Sequence, residues 1–240
     1  MKYLIGIDDT DNLESRGTGH RVRMLADWLA ENKLAAPLGI TRHQLLVDPQ
    51  IPYTSHNSSA CMSVDTDHAG DVWEAAREFL LRESAVGSDA GLGLAAWEAV
   101  PPCVCAFGVR AKQVVLTLLE AEQTALDNGI RLEGLTGTGG GVIGALAAIG
   151  LRHVGEDGRF LWLPGLRELQ GKLPVRQICS QSHVDRICTV EEFDLPPETL
   201  VDVGEWVRPV LHGGQAILYV EEKNHEWFII SKDRIKSLSN

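Results

Sequence analysis

The sequence predicts a mixed α/β (α+β) fold, and three observations support this. Apolar runs typical of buried strands alternate with segments whose apolar residues recur every three or four positions, as on one face of a helix. Between residues 58 and 135 the elements follow the order β-α-β-β-α-β, which is that of a ferredoxin-like unit. The chain has 240 residues, which is enough for one large domain or two small ones.

The first predicted strand, residues 2–7, ends in three carboxylates within four positions: Asp8, Asp9 and Asp11. Clustering carboxylates at the end of a buried strand is costly, because they lose hydration and repel one another. Such oxygen ligands suit Mg²⁺, which usually binds together with substrate phosphates. The alternative is a solvated strand-to-helix turn in which Asp11 or Asn12 caps a helix. These residues alone leave both interpretations open.

A helix is predicted from about Thr18 to Asn32, because Val22, Leu25 and Leu29 share one face. We expect Thr18 to be its N-cap. The start of this helix would then lie beside the acidic loop. Helix N-termini favour phosphate, so a cation site and an anion site would be adjacent.

A second strand region, residues 38–47, leads to a loop that contains Pro49, Pro52 and Tyr53. The ferredoxin-like unit follows. Its predicted strands and helices are residues 60–64 (strand), 69–82 (helix), 92–97 (strand), 103–107 (strand), 111–128 (helix) and 130–135 (strand).

A glycine-rich turn, Gly137 to Gly141, precedes the apolar segment 142–150, which is predicted to be a wholly buried helix. Backbone N–H groups in such a turn can cradle a phosphate. One alternative is that the glycines only allow close helix packing. Another is a Rossmann-type dinucleotide site, since Gly139, Gly141 and Gly144 match G-x-G-x-x-G and Glu156 lies where a ribose-binding acid could be.

The signal weakens after residue 150. The predicted strands there are residues 159–163, 176–178, 206–211, 216–222 and 226–230. Turns are expected at Gly213-Gly214 and at Lys223 to His225.

Composition narrows the class of protein. The formal net charge of −11 argues against nucleic acid as the main partner, because nucleic-acid binding normally requires a basic face. The chain has five cysteines, an odd number that does not indicate a framework of disulfide bonds, and this favours a reduced, cytoplasmic setting. No secretory signal and no membrane-spanning run is recognised, so no membrane partner is expected.

Four motifs, taken together and in order, resemble the archaeal family of agmatinylcytidine synthetases that modify an isoleucine tRNA. They are Ile5 to Asp11, the Pro52-Tyr53 loop, Gly141 to Gly150 and Pro209 to Gly214. The resemblance implies a kinase-like catalytic domain, residues 1–57 and 136–240, with a ferredoxin-like domain inserted at 58–135. It also implies that ATP and Mg²⁺ are the cofactors.

This chain departs from the family in three places. No four-cysteine zinc pattern is present, so the OB-fold and zinc ribbon that hold tRNA in that family are not expected. The phosphorylated threonine of the family falls in the segment around Thr18 to Arg21. Two basic residues of the Pro-Tyr loop are replaced by Thr54 and His56. These departures and the negative charge favour a small or unknown substrate over tRNA.

The sequence therefore predicts an ATP- and Mg²⁺-dependent phosphoryl-transfer enzyme related to that synthetase. Asp8, Asp9 and Asp11 would hold the metal, and His20 or Thr18 would be the base or phospho-acceptor. The predicted nucleotide-binding residues are Thr10, Arg16, Arg21, Gly137, Thr138, Gly139, Gly140 and Gly141. The rival hypotheses are a tRNA-modifying enzyme whose RNA-binding part is a separate chain, a non-catalytic nucleotide sensor, and the dinucleotide binder.

Overall fold

A computed structural model of the protein describes residues 1–54 and 56–238. The chain divides into two compact units, residues 1–154 and 155–240. Both contain strands and helices, so the predicted mixed α/β class is confirmed. In the described part of the chain, no helix combines the length and the apolar character needed to cross a bilayer.

The first unit contains five strands, five α-helices and one short 3-10 helix, Trp97–Ala99, among its described residues. The strands are β1 (Lys2–Asp8), β2 (Ala36–Gln44), β3 (Ser58–Asp65), β4 (Gly91–Ala96) and β5 (Arg131–Gly134). The helices are α1 (Thr18–Glu31), α2 (Ala69–Glu83), α3 (Pro102–Arg110), α4 (Leu118–Asp127) and α5 (Val142–Val154).

The five strands form an antiparallel sheet in the order β5-β4-β1-β3-β2. Strand β1 lies at its centre, and α5 packs on β1, β3 and β4. Helix α1 packs on β2 and β3 and also contacts α2. The close approach of α5 depends on glycine, since a Cβ atom on Gly6 would lie 2.0 Å from the carbonyl oxygen of Ala145. The predicted first strand, first helix and buried fifth helix are thus confirmed.

The internal order predicted for residues 58–135 is wrong at one element. Residues 103–107 are not a strand but part of α3, so the observed order is β-α-β-α-α-β. Pro102 is the first residue of this helix, a position where its fixed φ angle and missing N–H are favourable. A short apolar run fits a strand or a buried helix equally well, so the pattern of residues 103–107 alone did not distinguish the two.

The predicted helix over 111–128 is shorter in the structure. It begins after Thr117, whose side chain accepts a hydrogen bond from the N–H of Glu120 while Glu120 bonds back to Thr117. This capping box sets the start of α4. Residues 58–135 also do not form a compact unit of their own, because β3 and β4 pair with β1 on its two sides.

The second unit contains seven strands and two helices among its described residues. They are β6 (Arg159–Trp162), β7 (Lys172–Pro174), α6 (Val175–Ser182), β8 (Arg186–Cys188), β9 (Leu200–Asp202), β10 (Val210–His212), β11 (Gln215–Lys223), β12 (Glu226–Ile229) and α7 (Lys232–Leu238). The strand predicted at 176–178 is wrong, because these residues lie in α6.

Strands of the second unit follow the order β6-β10-β11-β12-β9-β7, and β8 pairs with β11 in parallel. The two predicted turns are confirmed. Gly213 and Gly214 join β10 to β11, and both have positive φ angles. Asn224 and His225 join β11 to β12 and also have positive φ angles, as a two-residue hairpin turn requires.

Candidate functional site

A cavity in the first unit collects many of the predicted site residues. It contains about 880 Å³ of space free of protein atoms, part of it open to solvent. Its polar lining consists of Asp8, Asp9, Asp11, Thr54, His56, Asn57, Ser58, Asp89, Thr138, Gly140, Gly141 and Gly144. Its apolar lining consists of Leu45, Ile51, Pro52, Tyr53, Ala111, Val114, Leu116 and Ile143.

Glycines bring the start of α5 onto the ends of β1 and β4. A Cβ atom on Gly91 would lie 2.1 Å from the carbonyl carbon of Gly141, and one on Gly141 would lie 2.6 Å from the nitrogen of Gly91. A Cβ atom on Gly144 would lie 1.7 Å from Asp8 Oδ2. The Asp8 carboxylate therefore occupies space that any other residue at position 144 would fill.

Asp8 is the last residue of β1, and its carboxyl group is desolvated. Burial raises the pKa of Asp8 well above its usual value, and the neighbouring charges of Asp9 and Asp11 raise it further. A hydrogen bond from the Asp9 N–H to Asp8 Oδ1, at 2.8 Å, and the charge of Arg42 oppose this rise. A cation beside Asp8 would relieve the desolvated charge.

Asp9 shares this environment and has an unusual backbone. Its φ angle is +52°, in the left-handed region that residues other than glycine seldom adopt. Burial, together with the charges of Asp89 and Asp11, raises the pKa of Asp9 to about 6. A strained backbone next to a carboxyl group with a shifted pKa is a common sign of a functional position.

Asp11 anchors the first turn of α1. Its Oδ1 accepts hydrogen bonds from the Thr18 N–H at 3.1 Å and from Thr18 Oγ1 at 2.8 Å, and its Oδ2 accepts one from Thr54 Oγ1 at 2.9 Å. Thr18 Oγ1 also contacts the backbone N and Oγ1 of Thr10, each at 3.2 Å. Asp11 thus caps the start of α1, as expected if the acidic loop is a strand-to-helix turn. Thr18 is the first residue of α1 rather than its N-cap, which is Gly17.

Asp89 was missed by the sequence analysis. It precedes β4, accepts a short hydrogen bond from the Thr138 N–H through Oδ1, and accepts one from the Gly141 N–H through its carbonyl oxygen at 2.9 Å. Asp89 precedes an apolar strand that contains glycine, Gly91-Leu-Gly-Leu94, and Asp8 ends another, Ile5-Gly-Ile7, so a carboxylate flanks each strand. That repetition was the available signal, but it becomes meaningful only because β1 and β4 are neighbours.

The glycine-rich turn is tied to the protein through its own N–H groups. The N–H groups of Thr138 and Gly141 donate to Asp89, and that of Gly139 donates to the carbonyl oxygen of Thr136. Gly137 and Gly139 have positive φ angles, which glycine tolerates. The turn thus borders the cavity as a closed loop held by Asp89. This differs from the predicted cradle of several N–H groups directed at a phosphate.

Several other predicted residues do not line the cavity. Arg16 and Arg21 lie outside it, as does His20 in the first turn of α1. Thr10 and Thr18 are buried, at 0% and 7% exposure, and are occupied by the Asp11 network. No Lys or Arg is present among the described residues that line the cavity.

The carboxylate oxygens that line the cavity suit a hard cation such as Mg²⁺, but they do not supply all of its ligands. Among the described residues, no group of three or more His, Cys, Asp and Glu side chains is arranged to hold a metal ion. Mg²⁺ does not require one, because it usually keeps several waters and binds one or two carboxylates together with phosphate oxygens. The desolvated carboxylates of Asp8 and Asp9 are suitable ligands for that mode of binding.

Comparisons with known proteins place this fold beside a group of tRNA enzymes. No family model matches the chain, and no curated protein matches it. A tRNA fluorescent labeling enzyme is similar at 26% identity and a TM-score of 0.55, covering 62% of this chain and 36% of that one. Apo TiaS, the agmatidine synthetase that acts on an isoleucine tRNA, is similar at 25% identity and a TM-score of 0.55, covering 62% of this chain and 35% of that one.

TiaS in its complex with the isoleucine tRNA and ATP is similar at 26% identity and a TM-score of 0.56, with 62% of this chain and 36% of that chain covered. The matched part is thus about a third of the length of these proteins. The resemblance predicted from the sequence is confirmed as a structural similarity over 62% of this chain.

Proposed function

We propose that the first unit binds ATP together with Mg²⁺ in this cavity and transfers a phosphoryl group, in a reaction related to tRNA modification. The observation that carries the proposal is the composition of the cavity lining. The lining combines four carboxylates, Asp8, Asp9, Asp11 and Asp89, with eight apolar or aromatic side chains. An apolar surface suits a nucleotide base, whereas a phosphate beside four carboxylates requires a bridging cation.

The roles of the residues follow from their positions. Asp8 and Asp9 would hold the ion, and Asp11 would keep the acidic loop attached to α1 through Thr18. Gly140, Gly141 and Thr138 would border the phosphates. When bound, the ion would neutralise charge that develops on the phosphate oxygens.

The structural neighbours support the nucleotide part of this proposal. One TiaS complex contains ATP and another contains AMPCPP, each with the isoleucine tRNA, and the second also contains agmatine. The tRNA relation rests on the same similarity. The net charge of −11 favours an arrangement in which a separate chain would hold the RNA, or in which the acceptor is a smaller molecule.

The test uses the full chain with ATP and MgCl₂ and measures both binding of a non-hydrolysable ATP analogue and phosphate release, with and without bulk tRNA. Asp8→Asn should abolish Mg²⁺-dependent binding or weaken it at least tenfold. Asp27→Asn is the matched control, because Asp27 is exposed on α1 and does not line the cavity.

Each outcome separates the rival hypotheses. Turnover without tRNA supports transfer to a small acceptor, and turnover only with tRNA supports RNA modification. Binding of the analogue without turnover under any condition favours a nucleotide sensor. The proposal is wrong if the wild-type protein binds NAD but not ATP, or if Asp8→Asn and Asp27→Asn behave alike.

A further inference from the structure

A row of polar side chains runs from Asp8, which lines the cavity, across three adjacent strands. The register pairs Ile7 of β1 with Ala60 of β3, so the next residues along the two strands, Asp8 and Ser59, come opposite each other. On the other side of β3, Ser59 is paired with His43 of β2. Cross-strand neighbours on one face have Cβ atoms about 4.5–5.5 Å apart, within reach of short polar side chains.

This row lies on the face of the sheet that α5 covers. Gly6, two residues before Asp8, contacts the backbone of Ala145, and Asp8 itself contacts Gly144. Ser59 is 1% exposed and His43 is fully buried. His43 Nε2 is 2.8 Å from Thr41 Oγ1, which continues the polar row along β2.

Ser59 is the unusual member of the row. Within the described part of the chain, its buried hydroxyl has no hydrogen-bond partner. A buried hydroxyl without a partner is destabilising, so such groups normally have a structural or functional use. Rotation about a single χ1 angle between staggered positions is enough to redirect the hydroxyl.

Asp8 is the natural acceptor for this hydroxyl. The hydrogen bond identified to its carboxylate comes from the Asp9 N–H to Oδ1. Its Oδ2 lies against Gly144, which offers no side chain. A carboxylate that binds a metal ion is usually held by a further donor that fixes its orientation, and loss of that donor typically weakens metal binding by about 10–100-fold.

We propose that Ser59 is a positioning residue: rotation about χ1 turns its hydroxyl, which has no partner among the described residues, towards Asp8, where it donates to the carboxylate and fixes its orientation when a cation is bound. This inference rests on the proposed function, since it assigns Asp8 a bound cation. His43 and Thr41 keep the surroundings of Ser59 polar from the opposite side. Ser59 would not itself contact the nucleotide, because it does not line the cavity.

The matched control lies on the same strand. Ser63 is also 1% exposed and lies four residues further along β3, on the same face of the sheet. Its hydroxyl donates to the carbonyl oxygen of Gly39 at 3.3 Å, and neither residue lines the cavity. Ser63→Ala therefore removes one buried hydroxyl from the same strand without touching the candidate site.

The experiment titrates the full chain with MnCl₂ in the presence of a non-hydrolysable ATP analogue and follows free Mn²⁺ by electron paramagnetic resonance. We expect Ser59→Ala to weaken Mn²⁺ binding about tenfold or more, Ser63→Ala to leave it within about twofold, and Ser59→Thr to restore much of it. Thermal melts of all variants show whether the fold is retained.

If Ser59→Ala binds Mn²⁺ as the wild type does, or if both alanine variants lose the same amount, the positioning role is wrong while the proposed function stands. If the wild-type protein takes up neither Mn²⁺ nor the analogue, both the proposed function and this inference are wrong.

Discussion

Gly144→Ala is the sharpest perturbation of the candidate site. The added methyl carbon would lie 1.7 Å from Asp8 Oδ2 and 2.5 Å from Asp8 Cγ. The carboxylate must withdraw by roughly 1.5–2 Å to reach ordinary van der Waals contact. The first contact is a side chain and not backbone, so we expect Asp8 to move while α5 stays in place.

The effect on stability is expected to be small. Overpacking a buried contact costs about 1–3 kcal/mol, and replacing glycine by alanine inside a helix returns about 0.5–1 kcal/mol. The net loss is therefore roughly 0–2.5 kcal/mol. The effect on the site is larger, because a metal ligand displaced by more than 1 Å loses its geometry. We expect Mg²⁺-dependent binding of an ATP analogue to fall about 10–100-fold.

The assay pairs analogue binding, by isothermal titration calorimetry with MgCl₂, with urea denaturation. Gly70→Ala in α2 is the control, because nothing lies within 4 Å of a Cβ atom there. Gly6→Ala is a second comparison, in which the added Cβ atom would lie 2.0 Å from a backbone oxygen of α5. Because backbone cannot easily move away, we expect this variant to destabilise the fold itself. Unchanged analogue binding in a folded Gly144→Ala protein would refute the placement of Asp8 in the site.

Three further predictions concern charge and core packing. Asp89→Asn keeps an oxygen acceptor for the Thr138 N–H but removes a negative charge that raises the pKa of Asp9. In a carboxyl ¹³C NMR titration, the pKa of Asp9 should therefore fall below about 6. An unchanged pKa would show that the two carboxyl groups do not interact. Because the pKa of Asp9 is raised, the folded protein holds this proton more tightly than the unfolded chain, and the resulting stability is lost as the pH rises from about 4 to about 6. Thermal melts should therefore show Asp9→Asn gaining stability relative to the wild type over that interval, and a constant difference would contradict this. Leu146→Ala, at a position with 0% exposure in the core under α5, should cost about 2–5 kcal/mol in urea denaturation, and a loss below about 1 kcal/mol would show that α5 is not the centre of this core.

Much of the first unit could be predicted from sequence because its signals are local. The apolar run that ends at Asp8, the helical periodicity after Thr18 and the glycines before α5 each specify an element by composition and spacing alone. The acidic loop and the glycine-rich turn were also predicted to share a site, and the cavity lining contains residues from both.

The errors arose where local signals were ambiguous. Residues 103–107 and 176–178 are short apolar or mixed runs, and their helical state depends on a proline at or just before the first turn and on packing with neighbouring elements. Arg16, His20 and Arg21 are close to the acidic carboxylates in sequence, but α1 carries the latter two away from the cavity.

The sequence by itself determined the mixed α/β class, the acidic strand end and the glycine-rich turn, because each depends on residues within a few positions of one another. The tertiary structure decided which groups meet. Asp89 joins Asp8 because β4 pairs with β1, and Ser59 comes opposite Asp8 because β3 pairs with β1 on the other side. Strand pairing joins residues more than fifty positions apart, and no local pattern records it.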